Sequence, residues 1–177
     1  MNKFPQKQGL YDPIFEHDSC GVGFVVHIKN HDSHQIIQDG LRLLCNLNHR
    51  GALGADPETG DGSGIMIQIP HQFFLEDCKR LGINLPKAGQ YAVASIFLPQ
   101  NPYSRKRCGE VIESQIVEKD LKLLGWRNVP INMDYVGKQA KSSMPVIRQL
   151  FVSPQQKGKF NQNLFENKLE KILAEHI

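Results

Sequence analysis

With 177 residues, 40% of them apolar, and a net charge of +3, the chain can bury one core but carries no strong charge bias. The only tight basic cluster, Arg105-Lys106-Arg107, has no interleaved aromatic residues, so it suits a solvated helix start and not a nucleic-acid footprint. No apolar run of seven precedes residue 20 and none of eighteen occurs anywhere, which predicts neither a secretory signal nor a membrane span.

Taken in chain order, the acidic stretch from Asp12 to Ser19 gives way at Cys20 to small apolar residues, and Gly21 to Ile28 reads as a buried strand. A polar turn follows over Lys29 to Ser33. From Ser33, a candidate N-cap, Ile36, Ile37, Leu41, Leu44 and Cys45 recur at helical spacing, and the helix should end near Asn48. Gly51, Gly54, Pro57, Gly60, Gly62 and Gly64 mark a loop, and Ile65 to Ile69 resume as a strand.

Phe73, Phe74, Cys78 and Leu81 predict a short helix stopped by Gly82 and Pro86, and Tyr91 to Leu98 another strand broken by Pro99 and Pro102. The spacing of Cys108, Val111, Ile112, Ile116, Leu123 and Leu124 predicts a helix from Ser104 to Leu124, ended by Gly125. Val146 to Val152 reads as a strand and Phe160 to Ala174 as an amphipathic helix carrying Leu164, Phe165, Leu169, Ile172 and Leu173. These elements suit a layered α+β domain.

Four cysteines, at 20, 45, 78 and 108, form no Cys-x-x-Cys pair, so neither a disulfide framework nor a zinc site is expected and the compartment should be reducing. His27, His31 and His34 lie around a polar turn where no thiol or carboxylate completes a convincing ligand set; a solvated turn is expected and no metal site. The loop Thr59-Gly60-Asp61-Gly62-Ser63-Gly64 is followed by no Lys-Ser or Lys-Thr, which excludes a phosphate loop.

Cys20 has more chemistry to offer. Were the peptide bond before it cleaved, its own α-amine, with an ordinary pKa near about 8, could take the thiol proton, and no separate histidine would be needed. The thiolate could then attack a carboxamide carbon, release ammonia and leave a thioester for water to hydrolyse. Gly21 and Gly23 beside it carry no Cβ to obstruct a substrate laid against the backbone. Without such a role, a cysteine between small residues is a buried small hydrophobe.

The segments Cys20 to Ile28, Asn48 to Asp56, Thr59 to Ile65 and Gln68 to Phe74 closely resemble the start of glutamate synthase large subunits, a class II, N-terminal-nucleophile glutamine amidotransferase domain. The resemblance continues through Leu124 to Pro130 and Pro145 to Val152. It implies a leader, residues 1–19, removed to expose Cys20, and residues 20–177 as the N-terminal part of an incomplete amidotransferase domain. It also implies part of a four-layer αββα sandwich, Cys20 as nucleophile and Arg50 shaping the glutamine pocket, beside which the residue types add Gly21, Gly51 and Asp61; the cysteine usage and missing secretory signal point to a cytoplasmic setting.

For the full-length parent the resemblance implies L-glutamine as substrate, FMN and an iron–sulfur cluster beyond this segment, and an NADPH or NADH subunit or ferredoxin as electron donor. The family's Asn-Gly oxyanion pair and glutamine clamps have no counterpart here, since no Asn is followed by Gly. One missing oxyanion donor costs about 10²–10³ in rate, so the chain alone is expected to be nearly inactive. Two alternatives stand beside this reading: another class II amidotransferase, similar to amidophosphoribosyltransferase, and a non-catalytic interaction remnant.

Overall fold

A computed structural model describes residues 21–29, 31–47, 51, 58–60, 62–155, 163, 165, 167 and 168. The chain divides into two compact units, Met1–Ile67 with Val136–Gln139, and Gln68–Tyr135 with Ala140–Ile177.

In the first unit the defining element is α1, His34–Asn46. Ser33 caps it as the sequence predicts: its hydroxyl accepts from the Ile36 backbone N–H at 3.4 Å, and Gln35 and Arg42 hold Asp39 from either side. The segment 21–28 is not the buried strand its composition predicts. It forms no ladder, and Val22, Phe24 and Ile28 stand 87%, 83% and 99% exposed. Residues 65–69 likewise form no strand, with Met66 98% exposed. A strand exists only through a partner's backbone, and among the described residues neither segment finds one.

The second unit is built on one antiparallel sheet of β1, Ala92–Leu98; β2, Leu121–Asn128; and β3, Val146–Pro154, in the order β1-β3-β2. β1 meets β3 from Ala92 opposite Val152 to Leu98 opposite Val146, and β2 runs from Leu121 opposite Pro154 to Asn128 opposite Arg148. Of these three strands the last in sequence is the middle one. α2, His71–Arg80, and α3, Pro102–Glu118, complete the unit with a 3₁₀ turn at Met133–Tyr135, while α4, Lys138–Ser143, leads toward β3.

Alternation along β3 splits the core. Phe151 points to one face, where it packs with Phe74 and Cys78 of α2, Ile83 and Tyr91; its ring meets Phe74 edge-on at 5.1 Å. Leu150 and Val152 point to the other, against Ile116 of α3, Leu121 and Phe165. The Tyr91 hydroxyl and a His71 ring nitrogen lie 3.0 Å apart, tying the start of α2 to the residue before β1.

The predicted helix from Ser104 to Leu124 is corrected: α3 stops at Glu118 and Leu121–Asn128 is a strand. Pro102 sits in the first turn, and the Asn101 side chain accepts from the Tyr103 and Ser104 N–H groups at 2.9 and 3.1 Å. The reversal comes at Asp120, whose φ of 54° ends the helix and turns the chain back into β2. Gly125, predicted as a helix stop, lies at the irregularity between Leu123 and Gly125 inside β2. A Cβ there would meet Ile83 Cγ1 at 2.6 Å.

Of the predicted C-terminal helix from Phe160 to Ala174, the described residues Asn163, Phe165, Asn167 and Lys168 are helical and Phe165 is buried; Phe160, Leu164, Leu169, Ile172, Leu173 and Ala174 lie outside the described residues. Arg105, Lys106 and Arg107 fall in the first turns of α3, with Arg105 donating to the Pro99 and Gln100 carbonyls and Lys106 beside Glu110.

Candidate active site

Three of the residues singled out from the sequence, Cys20, Arg50 and Asp61, and with them His49, lie outside the described residues. Gly21 is half-buried and Gly51 exposed. What the structure gives is the scaffold on which their neighbours stand, and that scaffold is α1.

The backbone at Gly23, three residues after Cys20, lies against Leu43 of α1 so closely that a Cβ would stand 2.5 Å from Leu43 Cδ1 and 2.8 Å from Cδ2. A side chain at 23 would displace the tip of Leu43 on the helix beside it. This packing stands beside the sequence-based reason, room for substrate. One turn earlier on the helix, Gly40 faces Ile65, whose Cδ1 would be 3.0 Å from a Cβ. Positions 40 and 43 share a helix face. That face therefore receives both the segment that follows Cys20 and the segment that follows the glycine-rich loop.

The same helix ends at Leu47, whose N–H is shared by the Leu43 and Leu44 carbonyls at 3.1 Å, just ahead of His49-Arg50-Gly51. The loop itself is met from another side: the backbone of Gly137 approaches the Glu58 carbonyl and the Thr59 side chain. Gly62 adopts φ 77°, a conformation open to glycine and strained for other residues.

Leu43, Gly40, Ile65 and Gly137 were not legible as site supports. Gly40 alone offered a signal, since glycine inside a helix costs about 1 kcal/mol relative to alanine and calls for a packing reason.

His27 and His31 stack with ring centroids 5.1 Å apart in an exposed turn, and the His31 N–H reaches the His27 ring at 3.4 Å. Among the described residues no group of three His, Cys, Asp or Glu could hold a metal ion, and no helix is long and apolar enough to cross a membrane. Cys45, Cys78 and Cys108 are free thiols; Cys45 is exposed and Cys78 buried.

Residues 20–174 match the family model of class II glutamine amidotransferases, and the match opens at Cys20 itself. The chain belongs to that family. It is 44% identical over 168 residues to the glutamate synthase [NADPH] large chain of Bacillus subtilis, covering 95% of this chain and 11% of that one. It is 39% identical to the glutamate synthase [NADH] of Saccharomyces cerevisiae, covering 95% and 8%, and 40% identical to the ferredoxin-dependent glutamate synthase 1 of Arabidopsis thaliana, covering 84% and 9%. The chain thus spans about a tenth of the length of the relatives it matches. Its mixed helices and antiparallel sheet accord with a class II amidotransferase domain.

Proposed function

We propose that this chain is the amidotransferase region of a glutamate synthase, working through Cys20 as an N-terminal nucleophile. The observation that carries the reading is where the family match begins: position 20, occupied by a cysteine, three residues before the Gly23 that packs on α1.

In this reading residues 1–19 are removed and the α-amine of Cys20 accepts the thiol proton. The thiolate adds to the side-chain carboxamide of L-glutamine, forming a tetrahedral oxyanion. The C–N bond breaks, ammonia leaves with the returned proton, and water hydrolyses the thioester to glutamate and free thiol. Arg50 and Gly51 shape the pocket beside the thiol, Gly21 admits the substrate, and Asp61 orients a donor in the pocket wall. A reducing, cytoplasmic setting suits a nucleophilic thiol.

The ammonia then converts 2-oxoglutarate to glutamate in the rest of the parent enzyme, with electrons from a reduced nicotinamide or ferredoxin. FMN and an iron–sulfur cluster belong to that part. The sheet and helices described here form part of a four-layer αββα sandwich.

Mass spectrometry of the active full-length enzyme tests the proposal: its chain should begin at Cys20, and a diazo-ketone analogue of glutamine should label that residue. Cys20→Ser should abolish glutamine-dependent synthesis while supplied ammonia restores it. An active enzyme that retains residues 1–19, or that hydrolyses glutamine with serine at 20, defeats the reading.

A further inference from the structure

Gly137 is buried, although residues 131–135 before it and Lys138 and Gln139 after it are exposed. Its backbone lies against residues 58 and 59: a Cβ there would meet the Glu58 carbonyl oxygen at 2.7 Å and its carbon at 2.8 Å, and would overlap the Thr59 hydroxyl oxygen. Gly23, Gly40 and Gly125 press on side-chain tips, which can rotate aside. A peptide carbonyl yields only if the chain that carries it moves. Backbone freedom does not explain this glycine, because positive φ values fall at Gly62, Gly82, Gly89 and Gly125 and not at Gly137. Val136–Gln139 is also the one segment beyond Ile67 that belongs to the first unit.

We propose that Val136–Gln139 is a strap that sets the entry of the glycine-rich loop Thr59 to Gly64, and that Gly137 is a positioning residue for glutamine. This rests on the amidotransferase reading given above, in which Asp61 orients a donor in the pocket wall. The loop is held at both ends: Glu58 and Thr59 lie on Gly137, and Ile65 lies on Gly40 of α1. Between these anchors, a Cβ at Gly62 or Gly64 would meet nothing within 4 Å among the described residues. The loop therefore takes its course from its ends, and a displacement at Thr59 is carried along the chain to Asp61. Gly137 acts through the loop, so an added methyl there weakens the hold on substrate and spares the chemistry of the thiol.

Gly137→Ala in the full-length enzyme tests this, by steady-state kinetics and amide exchange. It should raise the glutamine KM about tenfold or more and lower kcat far less, while ammonia-dependent synthesis keeps its rate. Exchange should quicken at residues 58–64 and 136–139 and stay unchanged over α1. Thr59→Ala combined with Gly137→Ala should restore only part of the KM, because the Glu58 carbonyl still obstructs the methyl. Gly109→Ala, where a Cβ meets nothing within 4 Å, should change neither the KM nor exchange at 58–64. Wild-type enzyme that the glutamine analogue leaves unlabelled at Cys20 defeats the amidotransferase reading, and exchange at 58–64 then still decides the strap. An unchanged KM, a kcat loss as large as the rise in KM, unchanged exchange at 58–64, or loosening throughout residues 21–67 overturns the proposal.

Discussion

Gly23 packs so closely on Leu43 that a Cβ at position 23 would lie 2.5 Å from a Leu43 methyl and push it aside. Through this contact the backbone just beyond the candidate nucleophile is referred to α1. Gly40 and Ile65 add a second contact on the same helix face. Geometry at position 20 is therefore expected to depend on helix residues that never touch substrate.

Gly23→Ala in the full-length enzyme should lower glutamine-dependent turnover more than ammonia-dependent turnover, because the added methyl displaces the nucleophile's segment. Leu43→Ala should relieve it: the double variant is expected to recover activity relative to Gly23→Ala, with a coupling of about 0.5–3 kcal/mol. Steady-state kinetics of the four proteins check this, and strictly additive losses would count against the contact.

Gly125→Ala is expected to destabilise the second unit by about 1–3 kcal/mol, since a Cβ would lie 2.6 and 2.7 Å from the Cγ1 and Cδ1 of buried Ile83. Urea unfolding followed by the fluorescence of Trp126, the single tryptophan, gives the shift. Pairing it with Ile83→Ala should cost less than the two losses added.

Arg127 is buried on β2, where its Nε donates to Asp77 Oδ2 of α2 at 2.5 Å and its Nη1 to Gln149 Oε1 at 2.9 Å, with the rings of Phe73 and Phe74 within 6 Å. Asp77→Ala leaves that guanidinium short of its counter-charge and should cost about 3 kcal/mol. Replacing both partners by apolar residues, Asp77→Leu with Arg127→Met, should cost less than Asp77→Ala alone. Denaturant midpoints of the three variants decide.

Burial pushes the Cys78 thiol above its ordinary pKa, the charge of Asp77 adds to the rise and Arg127 partly offsets it. Tyr91 is raised by burial and by Cys78. At neutral pH exposed Cys45 should alkylate readily while Cys78 reacts only on unfolding, because the thiolate is the nucleophile. The folded state holds these protons at pH values where the unfolded chain has lost them. Their contribution to stability is thus complete below about pH 9 and lost as pH rises through the folded values. Unfolding midpoints at about pH 8 and about pH 10.5 should show this decline, and Cys78→Ala should flatten its first part.

Helices and strands with local signals were readable from sequence: Ser33 announces α1, the Pro99 and Pro102 breaks bracket the start of α3, and apolar-rich stretches mark β1 and β3. β2 was misread because Leu123 and Leu124 continue the helical spacing of Ile112 and Ile116. The overriding signal was the reversal at Asp120, a residue type that tolerates positive φ. Residues 21–28 and 65–69 have strand composition, yet composition cannot supply a ladder partner. The chemistry of Cys20 came from residue type and motif. The supporting role of α1 did not, because the contacts of Gly23 with Leu43 and of Gly40 with Ile65 join residues distant in sequence through shape alone.

The placement of β3 between strands that both precede it has a consequence for biosynthesis. Ala92 waits for Val152 and Leu121 for Pro154, so neither flanking strand can acquire its ladder while the ribosome is still short of residues 146–154. Until then the nascent chain holds two uncompleted ribbons, and this is the interval in which a chaperone would find most to bind.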